Sequence, residues 1–117
     1  KYGEVLIVGI NSDASVRRLK GPGRPVNNQY DRAEILSALE CVNHVVIFDE
    51  DDPRQFLEKI KPHFHVKSKE GYTGIEKDTV ERYGGKVILL NPIHGYSTTS
   101  LITQATKSYI EGNKYEL

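Results

Sequence analysis

An α/β fold with a doubly wound, mostly parallel sheet is the architecture that this 117-residue sequence predicts. Three observations lead there. Residues 5–10, 45–48 and 86–90 (VLIVGI, VVIF and KVILL) are short, apolar and largely β-branched, which suits strands covered on both faces. Segments with helically spaced apolar residues lie between them, so strands alternate with helices and pair in parallel. The loops that leave the strands carry clustered charges and hydroxyls, and open α/β sheets bind ligands at that edge.

Taken in order, the first run ends in Asn11-Ser12-Asp13, residues that cap a short helix before Gly21-Pro22-Gly23 stops it. A second helix is expected over residues 31–42, with Asp31 as N-cap, Glu34 three residues later, and Ile35, Leu36, Leu39 and Val42 as the inward stripe. Cys41 falls in that stripe and reads as a small buried hydrophobe. It has no internal disulfide partner, which suits a reduced, cytoplasmic setting. The strand at 45–48 closes in the acidic loop 49–52, and Pro53 opens a helix to Ile60 with Phe56, Leu57 and Ile60 facing inward. Pro62 breaks that helix, and residues 64–67 read as a short strand. A polar stretch leads to a helix over 75–83, which Gly84-Gly85 terminate before the strand at 86–90. The last helix runs from the Ser97–Ser100 hydroxyls to about Glu111, with a frayed tail from Gly112.

Size and charge narrow the partners. The chain suits one domain over residues 1–117. Sixteen basic and sixteen acidic residues cancel, so no bulk field favours nucleic acid or an anionic membrane. No apolar run approaches the roughly 20 residues of a membrane span, and the first residues do not form a signal peptide.

Against that neutral background the charge is placed unevenly. Arg17, Arg18, Lys20 and Arg24 fall within eight residues, and no acid occurs between Ala14 and Tyr30. Such a cluster on a Gly/Pro-stiffened loop suits a multiply charged anion such as a phosphate chain, although many basic loops are only solvated. The second candidate is Gly95-Tyr96-Ser97-Thr98-Thr99. One hydroxyl there serves as a helix cap, and a helix N-terminus following a strand is also a phosphate site. Together the two segments would grip one polyphosphate from two sides. His63 and His65 alternate along a strand but lack a carboxylate or Cys partner at ligand spacing, so no metal site is expected. His44 reads as structural, His94 lies beside the hydroxyl cluster, and the loop 49–52 reads as a solvated turn. There is no Walker P-loop, dinucleotide fingerprint or nucleophile elbow.

The strings LIVGINSDASVRRLKGPGRPVNNQYDRAEILSALECV, VVIFDED, IKPHFHVK, YGGKVILL and GYSTTSLI resemble the cytidylyltransferase-like nucleotidyltransferases. They are most similar to the adenylyltransferase domain of the ADP-heptose synthases. The resemblance spans residues 3–102, and its LKG-x-x-RP and GYSTT blocks are its most specific parts. It implies a Rossmann-like nucleotidyltransferase fold that passes a nucleotidyl group from ATP or CTP to a phosphorylated small molecule, releasing pyrophosphate. AMP transfer from ATP to a heptose 1-phosphate, a step toward lipopolysaccharide, is the favoured version. A cytidylyltransferase acting on a polyol phosphate and a non-catalytic nucleotide-binding module are the alternatives.

The resemblance further implies residue roles. Lys20 is the expected catalytic residue. Lys20, Arg24, Arg32, Tyr96, Ser97, Thr98 and Thr99 would bind the nucleotide and its phosphates, while Asn11, Asp13 and Lys67 would line the acceptor side. Mg²⁺ would bridge the nucleotide phosphates, and the family is often dimeric. Two departures stand out. The family's His-x-Gly-His signature and the central strand that carries it have no counterpart here, and residues 1–4 match the end of the helix that follows them. The resemblance therefore implies a preceding segment of roughly 25 to 35 residues, about one βα unit. In addition, Lys67-Ser68-Lys69-Glu70-Gly71-Tyr72 stands where the family has Lys-Gly-Gly-Asp-Tyr, which bears on acceptor identity.

Overall fold

The computed structural model of the chain describes residues 3–113; residues 1–2 and most of the expected frayed tail, 114–117, lie outside them. Strand β1 (Ile7–Asn11) is followed by helices α1 (Asp13–Lys20) and α2 (Gln29–Ser37), then by β2 (His44–Phe48). Next come α3 (Arg54–Ile60), β3 (Phe64–Ser68), α4 (Lys77–Arg82), β4 (Lys86–Leu90) and α5 (Thr98–Asn113). Both ladders are parallel. β1 pairs with β2 from Ile7 opposite His44 to Asn11 opposite Phe48. β3 pairs with β4 from Phe64 opposite Lys86 to Ser68 opposite Leu90. Parallel neighbours need a helical crossover, which α1 and α2 supply in the first pair and α4 in the second. Among the described residues no ladder joins the two pairs, so each strand is hydrogen-bonded on one side only. The parallel α/β architecture is as expected, but its sheet comes as two pairs.

Three elements depart from the sequence reading. Asn28, not Asp31, caps α2: its Oδ1 accepts from the Asp31 backbone N–H at 2.8 Å. The helix then stops at Ser37, whose hydroxyl donates back to the Ala33 carbonyl at 2.7 Å. Residues 38–42 form turns that deliver the chain to β2, where the Asn43 and His44 N–H groups both donate to the Leu6 carbonyl. The expected stripe therefore splits: Leu36 and Val42 are half-buried, while Ile35, Leu39 and Cys41 are exposed. Lastly, Gly3 and Glu4 are not helical, and α4 is shorter than the expected 75–83.

The core is small and sits between the helices and strands of the middle of the chain. Leu57 of α3 and Val80 of α4 are each 1% exposed, and Phe48 at the end of β2 stacks on Phe56 with ring centroids 5.7 Å apart. Two glycines make this packing possible. A Cβ at Gly9 would lie 2.6 Å from the Phe56 ring, and one at Gly85 would lie 2.5 Å from the Pro62 carbonyl oxygen. Helix α5 stands apart. From Thr98 to Gly112 its residues are exposed apart from a half-buried Ser100, including Leu101, Ile102, Tyr109 and Ile110. The molecule is accordingly elongated, 63 Å in its longest dimension, with a radius of gyration of 17.1 Å where about 13 Å is usual for this length.

Two substitutions test this core by urea unfolding. Leu57→Ala is expected to cost about 2–5 kcal/mol of stability. Gly85→Ala, meeting a carbonyl that cannot swing aside as a side chain does, is expected to cost about 1–3 kcal/mol.

Candidate functional site

The sheet edge beyond β1 and β2 is assembled by short polar side chains. Ser12 caps α1, its hydroxyl accepting from the Ser15 N–H at 3.2 Å, while its own N–H donates to the Phe48 carbonyl at 2.8 Å. The fully buried Ser15 donates its hydroxyl to the Glu50 carbonyl at 2.9 Å and accepts from Asn11 Nδ2 at 3.0 Å. The Asn11 side chain, expected on the acceptor side, is thus used to orient Ser15. Asp13, also expected there, opens α1 and forms an ion pair with Arg32 Nη2 at 2.9 Å. Its N–H donates to Gln29 Oε1 at 2.9 Å, and Arg32 Nε donates to the Asn27 carbonyl at 3.0 Å. The resemblance places Asp13 on the acceptor side and Arg32 on the nucleotide; the structure joins them and so ties α1 to α2.

The basic cluster divides into committed and uncommitted charges. Arg17, Arg18 and Lys20 occupy the last turn of α1, where the carbonyl end of the helix dipole favours cations. Lys20 is therefore the last residue of a helix rather than part of the Gly/Pro-stiffened loop. Arg18 pairs with Asp51 at 2.8 Å and also donates to the Asp49 carbonyl, so the acidic loop 49–52 holds one of the four cations. The exposed Arg17 and Lys20 side chains make no hydrogen bond or ion pair to described residues. Gly21, at φ 90°, ends the helix and turns the chain toward Arg24.

Arg24 reaches across the fold. Its Nη2 donates to Thr99 Oγ1 at 3.3 Å, 75 residues away in sequence. This contact brings the basic segment and the hydroxyl segment to one place, as their motifs anticipated. Ser97 fills the capping role: its Oγ accepts from the Ser100 N–H at 3.0 Å and lies 2.9 Å from Ser100 Oγ. Thr98 and Thr99 begin α5, with their hydroxyls on the exposed surface, and Tyr96 is 85% exposed.

Lys67 lies apart from that pair, on β3. Its Nζ meets Glu76 Oε1 at 3.2 Å, and the Glu76 side chain is only 4% exposed. Around it the strand is inverted: His65 and Lys67 are half-buried while Phe64, Val66 and Ser68 are exposed. His63 lies just outside β3 and is exposed, so the two histidines do not share a site. His44 is the first residue of β2, and His94 is exposed. Burial of His65 pulls its imidazole pKa below the ordinary 6.5, a trend that the Glu76 charge partly offsets. Burial raises the Tyr72 phenol, and the Glu76 charge adds to that. On the neighbouring loop, hydrogen bonding from Arg54 holds the Asp52 carboxyl below its usual 3.8. Sequence reasoning missed Glu76, His65 and Tyr72 as a group. The only available signal was the i, i+2 spacing of His65 and Lys67, which puts them on one face of a strand.

Fold and motif order together define the class. Residues 1–110 match the family described as Cytidylyltransferase-like, and the chain belongs to that nucleotidyltransferase family. Among curated relatives it is similar to the Bifunctional protein HldE of Geobacter metallireducens, 50% identical over 94% of this chain and 23% of that protein. The HldE of Syntrophotalea carbinolica is 44% identical over 96% of this chain and 23% of that protein. The chain thus spans about a quarter of the length of these relatives. The fold also resembles the lipopolysaccharide core biosynthesis protein of Thermoplasma volcanium, with a TM-score of 0.60 and 20% identity, covering 78% of this chain and 75% of that one.

The electrostatics of the β3 face lead to a pH prediction. The unfolded chain holds its imidazole near 6.5, and the folded state holds His65 lower, so the unfolded state binds more protons in between. Stability is therefore full above pH 6.5 and falls as acid is added below it. An NMR titration is expected to place the His65 midpoint below 6.5, and Glu76→Gln to move it further down by removing the offsetting charge.

Proposed function

We propose that the chain is the nucleotidyl-transfer part of an enzyme that moves AMP from ATP to a sugar phosphate of the heptose 1-phosphate kind. The observation that carries this reading is the Arg24–Thr99 contact at 3.3 Å, which joins the basic and the hydroxyl segment across 75 residues of sequence, as a shared phosphate site would require. Lys20 closes the helix that leads into the Arg24 loop, and its ammonium has no ion-pair or hydrogen-bond partner among the described residues. Family membership supplies the reaction class; the similarity of the motif strings to ADP-heptose synthases favours ATP and a heptose phosphate.

In that reaction an oxygen of the acceptor phosphate attacks the α-phosphorus of the nucleotide in line. The bond from the α-phosphorus to the bridging oxygen breaks, and pyrophosphate leaves with the electron pair. There is little covalent work for the protein, so positioning and neutralisation of developing charge dominate. Lys20 and Arg24 would supply that charge, and the Thr98 and Thr99 hydroxyls would orient the phosphates. Asp13 and Arg32 act in this account by holding α1 against α2, which sets where the Lys20 end of the helix lies. Mg²⁺ enters with the nucleotide as part of the substrate. A cytoplasmic location and a homodimer belong to the same proposal.

The test is pyrophosphate release by the full-length protein with Mg²⁺, ATP or CTP, and a panel of sugar and polyol phosphates. Turnover is expected with a heptose phosphate, with ATP outcompeting CTP; no turnover with any pair overturns the reading. Lys20→Ala and Arg24→Ala should each lower kcat/KM by about 10- to 100-fold, the worth of one charge-assisted contact.

A further inference from the structure

Three groups at the end of β1 form a chain of hydrogen bonds whose direction is fixed at one end. The Glu50 carbonyl can only accept, so Ser15 Oγ, 2.9 Å away, gives its single proton there. Only lone pairs are then left on Ser15. The Asn11 amide, 3.0 Å from that hydroxyl, must therefore turn Nδ2 toward it rather than Oδ1. The bond that orients Ser15 thus orients Asn11 as well. Ser15 is fully buried, which shields both of its bonds from water.

The other half of the amide is left unused. Asn11 Oδ1 has no hydrogen-bond partner among the described residues, and it is not one of the buried orphan atoms, so it is open to solvent. Asn11 is the last residue of β1, at the edge where open α/β sheets bind ligands. A freely rotating surface amide presents either end to a ligand. Here a flip would set an oxygen against the Ser15 lone pairs, so the amide presents its oxygen alone. That oxygen accepts and does not donate. An ionised phosphate oxygen, which also only accepts, makes no bond with it, whereas a hydroxyl or an N–H group does. The edge therefore carries a hydrogen-bond acceptor in addition to the cations of Lys20 and Arg24. Ser15 bears on both, because it also fastens α1, whose last residue is Lys20, to the loop after β2.

We propose that Ser15 is a positioning residue of the transfer site: its hydroxyl locks the Asn11 amide with the oxygen outward, and that oxygen selects a substrate offering a hydroxyl or N–H donor. The proposal rests on the nucleotidyl-transfer reading for what the substrates are. The donor is carried either by the nucleoside part of the nucleotide or by a hydroxyl of the phosphorylated acceptor. A fixed acceptor discriminates better than a free one, because a substrate lacking the donor leaves it unpaired and the locked amide cannot turn to compensate.

The test uses the full-length protein. Without any ligand, the Asn11 side-chain amide signals are expected to stand apart from those of exposed amides in an NMR spectrum. They should collapse onto them in Ser15→Cys, which keeps the volume but weakens the hydrogen bonds. Binding is then read by calorimetry without turnover. One arm takes ATP, its monodeoxy forms and purine riboside triphosphate; the other takes a heptose 1-phosphate and its deoxy analogues. In one arm Ser15→Cys and Asn11→Leu should each weaken binding about tenfold, and the penalty should vanish with the analogue that lacks the paired donor. That arm identifies the source of the donor. Leu57→Ala, which lowers stability without touching these bonds, should leave binding unchanged. Asn11 signals that do not move in Ser15→Cys, equal losses with every analogue, or the same loss in Leu57→Ala would overturn the positioning role, even where pyrophosphate release continues. Analogue-selective losses in a protein that releases no pyrophosphate with any pair would keep the role and overturn the reaction.

Discussion

The fully buried hydroxyl of Ser15 is where the sheet edge is held together. It accepts from Asn11 at the end of β1, donates to the Glu50 carbonyl just past β2, and belongs to α1 itself. With the Ser12 N–H on the Phe48 carbonyl, it fixes the first helix to both strand ends at once. Everything further along depends on that placement. The Arg18 pairing with the acidic loop, the exposed Lys20 at the helix end and the reach of Arg24 to Thr99 all follow from where α1 leaves the sheet. Hydroxyl bonds of this kind satisfy backbone groups while taking almost no volume, which lets helix and strand termini approach closely.

A second constraint runs through β3. Its half-buried positions are His65 and Lys67 while its exposed ones include Phe64 and Val66, the reverse of a strand that merely covers a core. Polar groups are tolerated inside only when they are paired or have work to do. Lys67 engages only Oε1 of Glu76; the buried Glu76 Oε2, His65 Nε2 and Tyr72 Oη have no hydrogen-bond partner among the described residues.

Much of this was readable from residue patterns. The four strands lie within two residues of where apolar runs placed them, because short β-branched stretches between turn residues have few other stable options. The basic and hydroxyl segments were legible as candidates because like charges and stacked hydroxyls have no packing purpose. Less legible was α2. Its capping residue is Asn28, and only Leu36 and Val42 of its stripe are half-buried, since the turn that carries the chain into β2 took priority over helical spacing. Cys41 went with it, from expected burial to the surface.

What the sequence determined by itself was local and periodic: strand and helix order, the parallel class that this order enforces, and the two anion-type segments. The tertiary structure decided which charges remain available. Arg18 and Arg32 look equivalent to Lys20 and Arg24 in sequence, yet each is paired with a carboxylate that only folding brings near. It also buried Glu76 at the start of α4 against Lys67 of β3. Burial is a property of the packed molecule, and a polar residue becomes informative only once water has been removed from around it.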